Sequence, residues 1–305
     1  MKSEIIIGSR DSKLALIQSK MVKTYIETHH PAYSVQILPM KTTGDRILNQ
    51  PLEKIGGKGL FVKELDLALA EGRTDLSVHS LKDVPMMLPE ELPLIGFSVR
   101  EDPRDALILP QGCTEIDFNK PIGCSSARRM LQFRQLYPQA RFETIRGNVE
   151  TRLRKLDAGQ YGATILAAAG LKRLGLERRI NRYFSTEEMI PAAGQGILAV
   201  QGRANHDYPF LDGYTDPDSL FCAHAERAFI RRLGGGCTMP AAAYAVIKDG
   251  KLTLTAMYMD ESAGQLHRGA LTRDIDNVDP ACTDFSARRA AAQIGAELAR
   301  SFLCK

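Results

Sequence analysis

The stretch Ile5-Ile6-Ile7-Gly8-Ser9-Arg10-Asp11-Ser12 joins a short apolar run to a polar turn. Ser12 can cap a helix, because its hydroxyl can accept a hydrogen bond from a free backbone N–H of the first helical turn. Apolar residues then recur near helical spacing from Leu14 to Tyr25. The stretch therefore predicts a buried strand, a loop and a helix, which together begin a parallel β-α-β unit.

Similar patterns follow along the chain and predict two α/β units. Helical patterns cover residues 60–70, 125–136 and 149–156, and extended patterns cover 75–79, 141–145 and 164–168. From Ser219 onward the pattern changes to a helix over 220–233, a hairpin around Asp249-Gly250 and a final Ala-rich helix. We expect this third part to be a small α+β domain. Turn residues cluster at three breaks, which are 101–104, 191–196 and 212–217.

Composition is that of a globular protein, with 44% hydrophobic and 25% charged residues among 305. The net charge of +4 comes without long Lys/Arg runs, so no nucleic-acid-binding arm is predicted. The six cysteines form no CxxC pair and have no metal-ligand spacing, which indicates free thiols, a reducing compartment and no metal. The apolar run 5–7 is too short for a signal peptide, and no stretch reaches the roughly 20 apolar residues of a membrane span. We expect a cytoplasmic protein.

Two loops at predicted strand ends could hold a charged ligand. Segment 9–12 offers helix N–H groups and Arg10 to an anion, although an ordinary cap with a solvated arginine explains it as well. Segment 78–85 carries Lys82 and Asp83 beyond a strand, where ligands bind in open α/β sheets, but an exposed ion pair is the alternative. His79 has no partner ligand nearby and is interpreted as structural.

The segment 128–155 has eight basic residues and only two acidic ones. Gly123-Cys124-Ser125-Ser126 precedes Arg128 and Arg129 like an anion-binding helix start, and Arg146-Gly147-Asn148 opens the helix that carries Arg152. This excess predicts an anionic partner, but arginine suits carboxylates and phosphates equally. A solvated helix face explains Arg134 and Arg154, but it explains the positions at the strand ends less easily.

The glycines of Gly234-Gly235-Gly236-Cys237 permit positive φ and could hold an exposed thiol on a loop where a helix ends. A lone loop cysteine is more often a small apolar residue, and no Cys/His/Asn set points to a thiol protease.

Together these segments resemble the porphobilinogen deaminase (hydroxymethylbilane synthase) family over essentially the whole chain. The resemblance rests on motifs in the family's order, namely Gly8-Ser9-Arg10, Lys41-Thr42-Thr43-Gly44-Asp45, Gly56-Gly57-Lys58-Gly59-Leu60-Phe61, His79-Ser80-Leu81-Lys82-Asp83-Val84-Pro85, Ser125-Ser126-Ala127-Arg128-Arg129, Arg146-Gly147-Asn148-Val149, Pro191-Ala192-Ala193-Gly194-Gln195-Gly196 and Glu226-Arg227 through Gly235-Gly236-Cys237.

The resemblance implies an α/β fold of two periplasmic-binding-protein-like lobes, each with a mixed sheet, plus a small α+β C-terminal domain. Lobe one would comprise 1–96 and 196–212, lobe two 101–191, and the C-terminal domain 219–305. The active site would lie between the lobes. The protein would be a transferase that condenses four porphobilinogen molecules stepwise, with release of ammonia, into hydroxymethylbilane on a dipyrromethane primer.

The resemblance also implies residue roles. Cys237 would hold the dipyrromethane through a thioether, and Asp83 would be the catalytic carboxylate. Cofactor contacts would come from Lys82, Asp83, Ser126, Arg128 and Arg129. Substrate contacts would come from Arg10, Ser12, Phe61, Arg146, Arg152, Arg173 and Gln195. Lys54, Lys58 and Phe61 would belong to, or lie beside, a lid of the cleft.

Two other functions compete with this one. A non-catalytic anion-binding module would share the two-lobed cleft but would carry no attached group. A nucleic-acid binder could use the basic segment 128–155, but 7% aromatic residues and no Trp provide no evident stacking surface. We expect a monomer that binds neither nucleic acid nor membrane.

Overall fold

The computed structural model describes residues 3–46, 62–235, 239–275 and 285–303. The strands are β1 (Ser3–Arg10), β2 (Tyr33–Met40), β3 (Leu76–Ser80), β4 (Leu94–Phe97), β5 (Asp105–Ile108), β6 (Ile122–Gly123), β7 (Phe142–Glu143), β8 (Ala163–Ala167), β9 (Arg182–Tyr183), β10 (Leu198–Gln201), β11 (Ala241–Lys248), β12 (Lys251–Asp260) and β13 (Gln265–Asp274). The helices are α1 (Lys13–His29), α2 (Thr43–Arg46), α3 (Lys63–Ala70), α4 (Ala127–Leu136), α5 (Val149–Asp157), α6 (Ala168–Arg173), α7 (Pro217–Arg232) and α8 (Phe285–Leu303).

The first sheet has the strand order β2-β1-β3-β10-β4. β1 pairs in parallel with β2 and β3, whereas β10 pairs antiparallel with β3 and β4. The predicted cap exists, because Ser12 Oγ accepts from Ala15 N at 3.3 Å. Val22 and Ile26 of α1 then pack with Ile5 and Ile7 of β1, and this packing covers one face of the sheet. The predicted strand, loop and helix at the start of the chain are confirmed.

The second sheet has the order β7-β6-β8-β5-β9. β6 is parallel to β7 and β8, and β5 is antiparallel to β8 and β9. Like the first sheet, the second sheet is therefore mixed. Two apolar clusters lie in this part of the chain, one that includes Leu153 and Leu156 of α5 and one that includes Phe133 of α4.

The third sheet, β11-β12-β13, is an antiparallel meander. Asp249 and Gly250 both have positive φ, 50° and 69°, which suits the tight turn between β11 and β12, so the predicted hairpin is confirmed. Its core also includes Phe229 of α7 and Leu298 of α8. The predicted fold class, two α/β parts with mixed sheets and a small α+β part, is confirmed.

The chain passes twice between the first two sheets, from β4 to β5 and from β9 to β10. The two passages touch, because Glu101 N donates to the Gly196 carbonyl at 3.2 Å. Lys13 of α1 and Glu150 of α5 form an ion pair of 2.7 Å, which joins the two α/β parts at a second place. Within the described ranges, every helix is too short or too polar to cross a bilayer.

Candidate functional site

The turn after β3 carries the predicted catalytic carboxylate. β3 is buried over four of its five residues, and a 3-10 turn over Leu81–Asp83 follows it directly. Leu81 is fully buried, whereas Asp83 is exposed. Arg10, His79 and Asp83 line one small cavity at this sheet edge. The buried strand therefore holds a carboxylate at the mouth of a cavity.

Lys82 and Gln195 connect this turn to the second passage between the lobes. Lys82 Nζ donates to Gln195 Oε1 at 3.2 Å. Gln195 is fully buried, and its Nε2 donates to the Pro103 carbonyl at 2.6 Å and to Asp105 Oδ1 at 3.0 Å. Burial, together with the positive charge of Arg129, lowers the pKa of Lys82 to about 8.

Arg128 and Arg129, at the start of α4, are buried around the carboxylate of Asp105. Arg128 Nη1 lies 2.7 Å from Asp105 Oδ2, and Arg129 Nε and Nη2 lie 2.9 and 2.7 Å from Oδ1. Burial alone would raise the pKa of Asp105, but the two guanidinium groups hold it well below its usual range. Asp105 was not predicted as a site residue. The sequence signal was weak, since Asp105 is the last of four charged residues in the stretch 101–105 that precedes the apolar run 106–109.

Arg152 and Arg146 add further positive charge from α5 and the turn before it. Arg152 Nε donates to the Gly147 carbonyl at 2.9 Å, and burial together with the Arg129 charge lowers the pKa of Arg152 to about 10. Burial also lowers the pKa of Arg146. Asp83 interacts electrostatically with Lys82, Arg129 and Arg152. The structure thus brings residues from both α/β parts into one charged region.

The charges of this region do not balance among the described residues. Lys82, Arg128, Arg129 and Arg152 provide four cations, against the two carboxylates of Asp83 and Asp105. Cations withdrawn from water need a counter-charge. The arrangement can therefore bind a polyanion, and it leaves the exposed Asp83 free to accept a proton or an N–H bond from a bound molecule.

Three other residues predicted for the site lie at helix ends or beside the passages between the lobes. Ser12 caps α1, as described above, and Ser126 stands at the N-cap position of α4 without a side-chain capping bond. Arg173 Nη2 donates to the Gly196 carbonyl at 2.6 Å, so its described bond is to the passage between the lobes. Phe61, Cys237, Lys54 and Lys58 lie outside the described residues.

His79 is buried beside the cavity, and its Nε2 lies 3.0 Å from Gln201 Oε1. Burial lowers the pKa of His79 to about 4. No group of three or more His, Cys, Asp or Glu residues suited to a metal occurs in the described part of the chain.

Two family profiles match the chain end to end. Residues 5–209 match "Porphobilinogen deaminase, dipyromethane cofactor binding domain", and residues 220–303 match "Porphobilinogen deaminase, C-terminal domain". The chain belongs to the porphobilinogen deaminase family. The charged region described above lies wholly within the span that matches the cofactor-binding domain.

Curated members of the porphobilinogen deaminase family are close in sequence. The porphobilinogen deaminase of Acetivibrio thermocellus is 53% identical over 271 residues, which cover 89% of this chain and 92% of that protein. That of Ruminiclostridium cellulolyticum is 54% identical over 275 residues, 90% of this chain and 93% of that protein. The solved structure of the methionine binding protein MetQ has a TM-score of 0.46 at 10% identity, over 69% of this chain and 88% of that one, a likeness too low to support a conclusion.

Proposed function

We propose that this chain condenses four porphobilinogen molecules in succession, with release of ammonia, to give hydroxymethylbilane for tetrapyrrole and heme biosynthesis. The observation that carries the proposal is the excess of buried and half-buried cations beside an exposed carboxylate, within the span that matches the cofactor-binding domain. Each pyrrole of the substrate bears an acetate and a propionate group, so an intermediate of this pathway is a polyanion that suits such a region.

Dipyrromethane bears carboxylate groups, and it fits the residues that are present because this region of the protein has more cations than carboxylates. We propose that Cys237 holds it through a thioether and that Lys82, Ser126, Arg128 and Arg129 bind its carboxylates. When bound, the group supplies the pyrrole carbon to which the first substrate is joined. Arg128 and Arg129 are oriented by Asp105 before any ligand arrives, which lowers the cost of ordering them.

Substrate carboxylates would be bound by the remaining cations of the cleft. We propose this role for Arg10, Arg146 and Arg152, together with Ser12 at the N-terminus of α1. Gln195 would keep Lys82 oriented through the bond between their side chains. Arg173 would contact the substrate from the place where the two passages between the lobes meet. Phe61 would lie over the bound pyrroles.

Asp83 would act on the leaving group and on the charge that its departure creates. Loss of ammonia leaves a positive charge on the pyrrole of the incoming substrate. A carboxylate that accepts a hydrogen bond from the pyrrole N–H stabilises that charge. Asp83 needs no rearrangement to do so, because the 3-10 turn already holds its side chain in place. The surrounding cations bind carboxylates, while Asp83 provides the one exposed negative charge that the described cavity lining contains.

We further propose that the protein works as a cytoplasmic monomer and binds neither nucleic acid nor membrane. The modest net charge of +4 supports the absence of nucleic-acid and membrane binding.

Intact mass tests the proposed attachment. The purified chain should exceed its sequence mass by one dipyrromethane, and peptide mapping should locate the addition on Cys237. Cys237→Ser should lose both the added mass and the activity, whereas the control Cys113→Ser, at an exposed thiol, should lose neither. A chain of unmodified mass that binds porphobilinogen without releasing ammonia would instead be an anion-binding module.

The proposed role of Asp83 is tested by Asp83→Asn, which keeps the shape of the side chain and removes its charge. The rate of ammonia release should fall by about 10² to 10⁴ while the chain stays folded. An Asn variant with more than about a tenth of the parent rate would assign the role to another carboxylate.

A further inference from the structure

Arg227 is a buried cation that the proposed function does not use. It lies in α7, next to Glu226, and is only 8% exposed. Its Nη1 donates to the Val84 carbonyl at 3.1 Å and its Nη2 to the Pro85 carbonyl at 2.5 Å. Val84 and Pro85 directly follow Asp83. One guanidinium group therefore holds two successive peptide units beside the exposed carboxylate.

The same helix also packs against the turn that carries Asp83. Leu220 and Ala223 of α7 share an apolar cluster with Leu81 and Val84, which flank Lys82 and Asp83. Val84 N additionally donates to the Leu81 carbonyl at 3.1 Å, which closes the turn on itself. The turn is thus fixed from outside by α7 through both apolar packing and hydrogen bonds.

Neighbouring bonds tie the same helix to the rest of the molecule. Glu226 Oε2 accepts from Gly194 N at 2.6 Å, and Glu226 Oε1 accepts from Ala245 N at 2.8 Å and from Arg100 Nη2 at 2.7 Å. These bonds link α7 to both passages between the lobes and to the third sheet. They do not contact the turn at Asp83, so α7 holds that turn through Arg227 and the apolar cluster. The second passage adds two bonds to the turn, from Lys82 to Gln195 and from Leu81 N to the Ile197 carbonyl.

We propose that Arg227 is a positioning residue that fixes the turn bearing the Asp83 carboxylate against α7. The inference rests on the proposed function, since it assumes that Asp83 is the catalytic carboxylate. Arginine suits the task because its planar fork can donate to two carbonyls at once, whereas a lysine ammonium cannot match that geometry. Loss of the fork leaves the helix and its apolar contacts in place but frees the turn to move.

Three variants test the inference in the full-length, primed protein, that is, protein that carries the proposed dipyrromethane. Arg227→Met removes both donors and keeps much of the buried aliphatic volume. Arg227→Lys keeps the charge and one donor group. Arg231→Met, at an exposed residue one turn further along α7, is the matched control. Each rate of ammonia release is divided by the primed fraction from intact mass, and kcat and KM for porphobilinogen are measured separately.

Arg227→Met should keep its primer and bind porphobilinogen with a KM within about twofold of the parent, because the carboxylate-binding cations are untouched. Its kcat should fall by about 10- to 100-fold, as expected when a catalytic group is displaced by around 1 Å. Arg227→Lys should recover part of the lost kcat, and Arg231→Met should match the parent.

Three results would overturn the inference. These are a kcat for Arg227→Met within about threefold of the parent, a change confined to KM, or failure of both Arg227 variants to fold, which would make the residue purely structural. A parent chain without primer mass or ammonia release would instead refute the proposed function, so the two failures are distinguishable.

Discussion

Removing the charge of Asp105 should destabilise the protein far more than removing that of an ordinary acidic residue. Asp105 has no exposed surface and accepts bonds from Arg128, Arg129 and Gln195. Asp105→Asn leaves two guanidinium groups, 5% and 8% exposed, without their counter-charge. Breaking a buried pair in this way costs about 3 to 5 kcal/mol. For a chain of this size the corresponding fall in Tm is roughly 5 to 8 °C.

The matched control is Asp274→Asn, at the end of β13. Asp274 pairs with Lys251 at 3.6 Å, and the two side chains are 71% and 57% exposed, so water can replace the lost charge. A pair of this kind contributes about 1 kcal/mol or less. Unfolding by urea, followed by circular dichroism on unprimed protein, measures both variants. If Asp105→Asn costs no more than Asp274→Asn, the carboxylate is not the counter-charge of the two arginines.

Two further predictions concern the cations of the cleft. Arg152→Leu should reduce kcat/KM for porphobilinogen by about ten- to a hundredfold, since a charge-assisted hydrogen bond contributes about 1.5 to 3 kcal/mol; steady-state rates equal to those of the exposed control Arg154→Leu would contradict it. The second prediction concerns Lys82 in protein without the primer. The NMR signal of its ¹³C-methylated side chain should titrate near pH 8, and Lys82→Arg, which lacks this signal, identifies it. A titration midpoint above about 10 would contradict the effect of burial on the pKa of Lys82. Because folded Lys82 releases its proton near pH 8 and an unfolded lysine near 10.4, the free energy of unfolding should gain from this residue as the pH rises between about 8 and 10.4.

Local elements could be predicted from the sequence because their signals are local. The cap at Ser12 and the helix after it were predicted because each depends on residues within one or two turns. The hairpin at Asp249-Gly250 was predicted for the same reason, since these residue types favour positive φ. By contrast, nothing in the pattern of β10 shows that it inserts antiparallel between β3 and β4. Only the family resemblance associated residues 196–212 with lobe one, because pairing partners far apart in sequence leave no periodic signal.

For the candidate site, too, the sequence predicted what can be read locally and did not predict contacts between distant residues. The basic excess of 128–155 correctly indicated a region of unbalanced positive charge, because charge can be counted from the sequence. The partner of Arg128 and Arg129 could not be counted in this way, since Asp105 lies more than 20 residues earlier, on a different strand. Arg227 was seen only as part of a family motif. Its bonds to Val84 and Pro85 join residues 142 or more positions apart.

The position of β10 has a consequence for synthesis on the ribosome. β3 and β4 are both translated early. Until Leu198–Gln201 has left the exit tunnel, β3 pairs only with β1, and β4 lacks the strand it pairs with in the described sheet. All five strands of the second sheet are translated before β10. We therefore expect the second α/β part to reach its native pairing first, while two unsatisfied strand edges of the first wait for a partner. A nascent chain stalled before β10 should bind chaperones that recognise exposed strand edges, and it should be cleaved by protease in the first part while the second is protected.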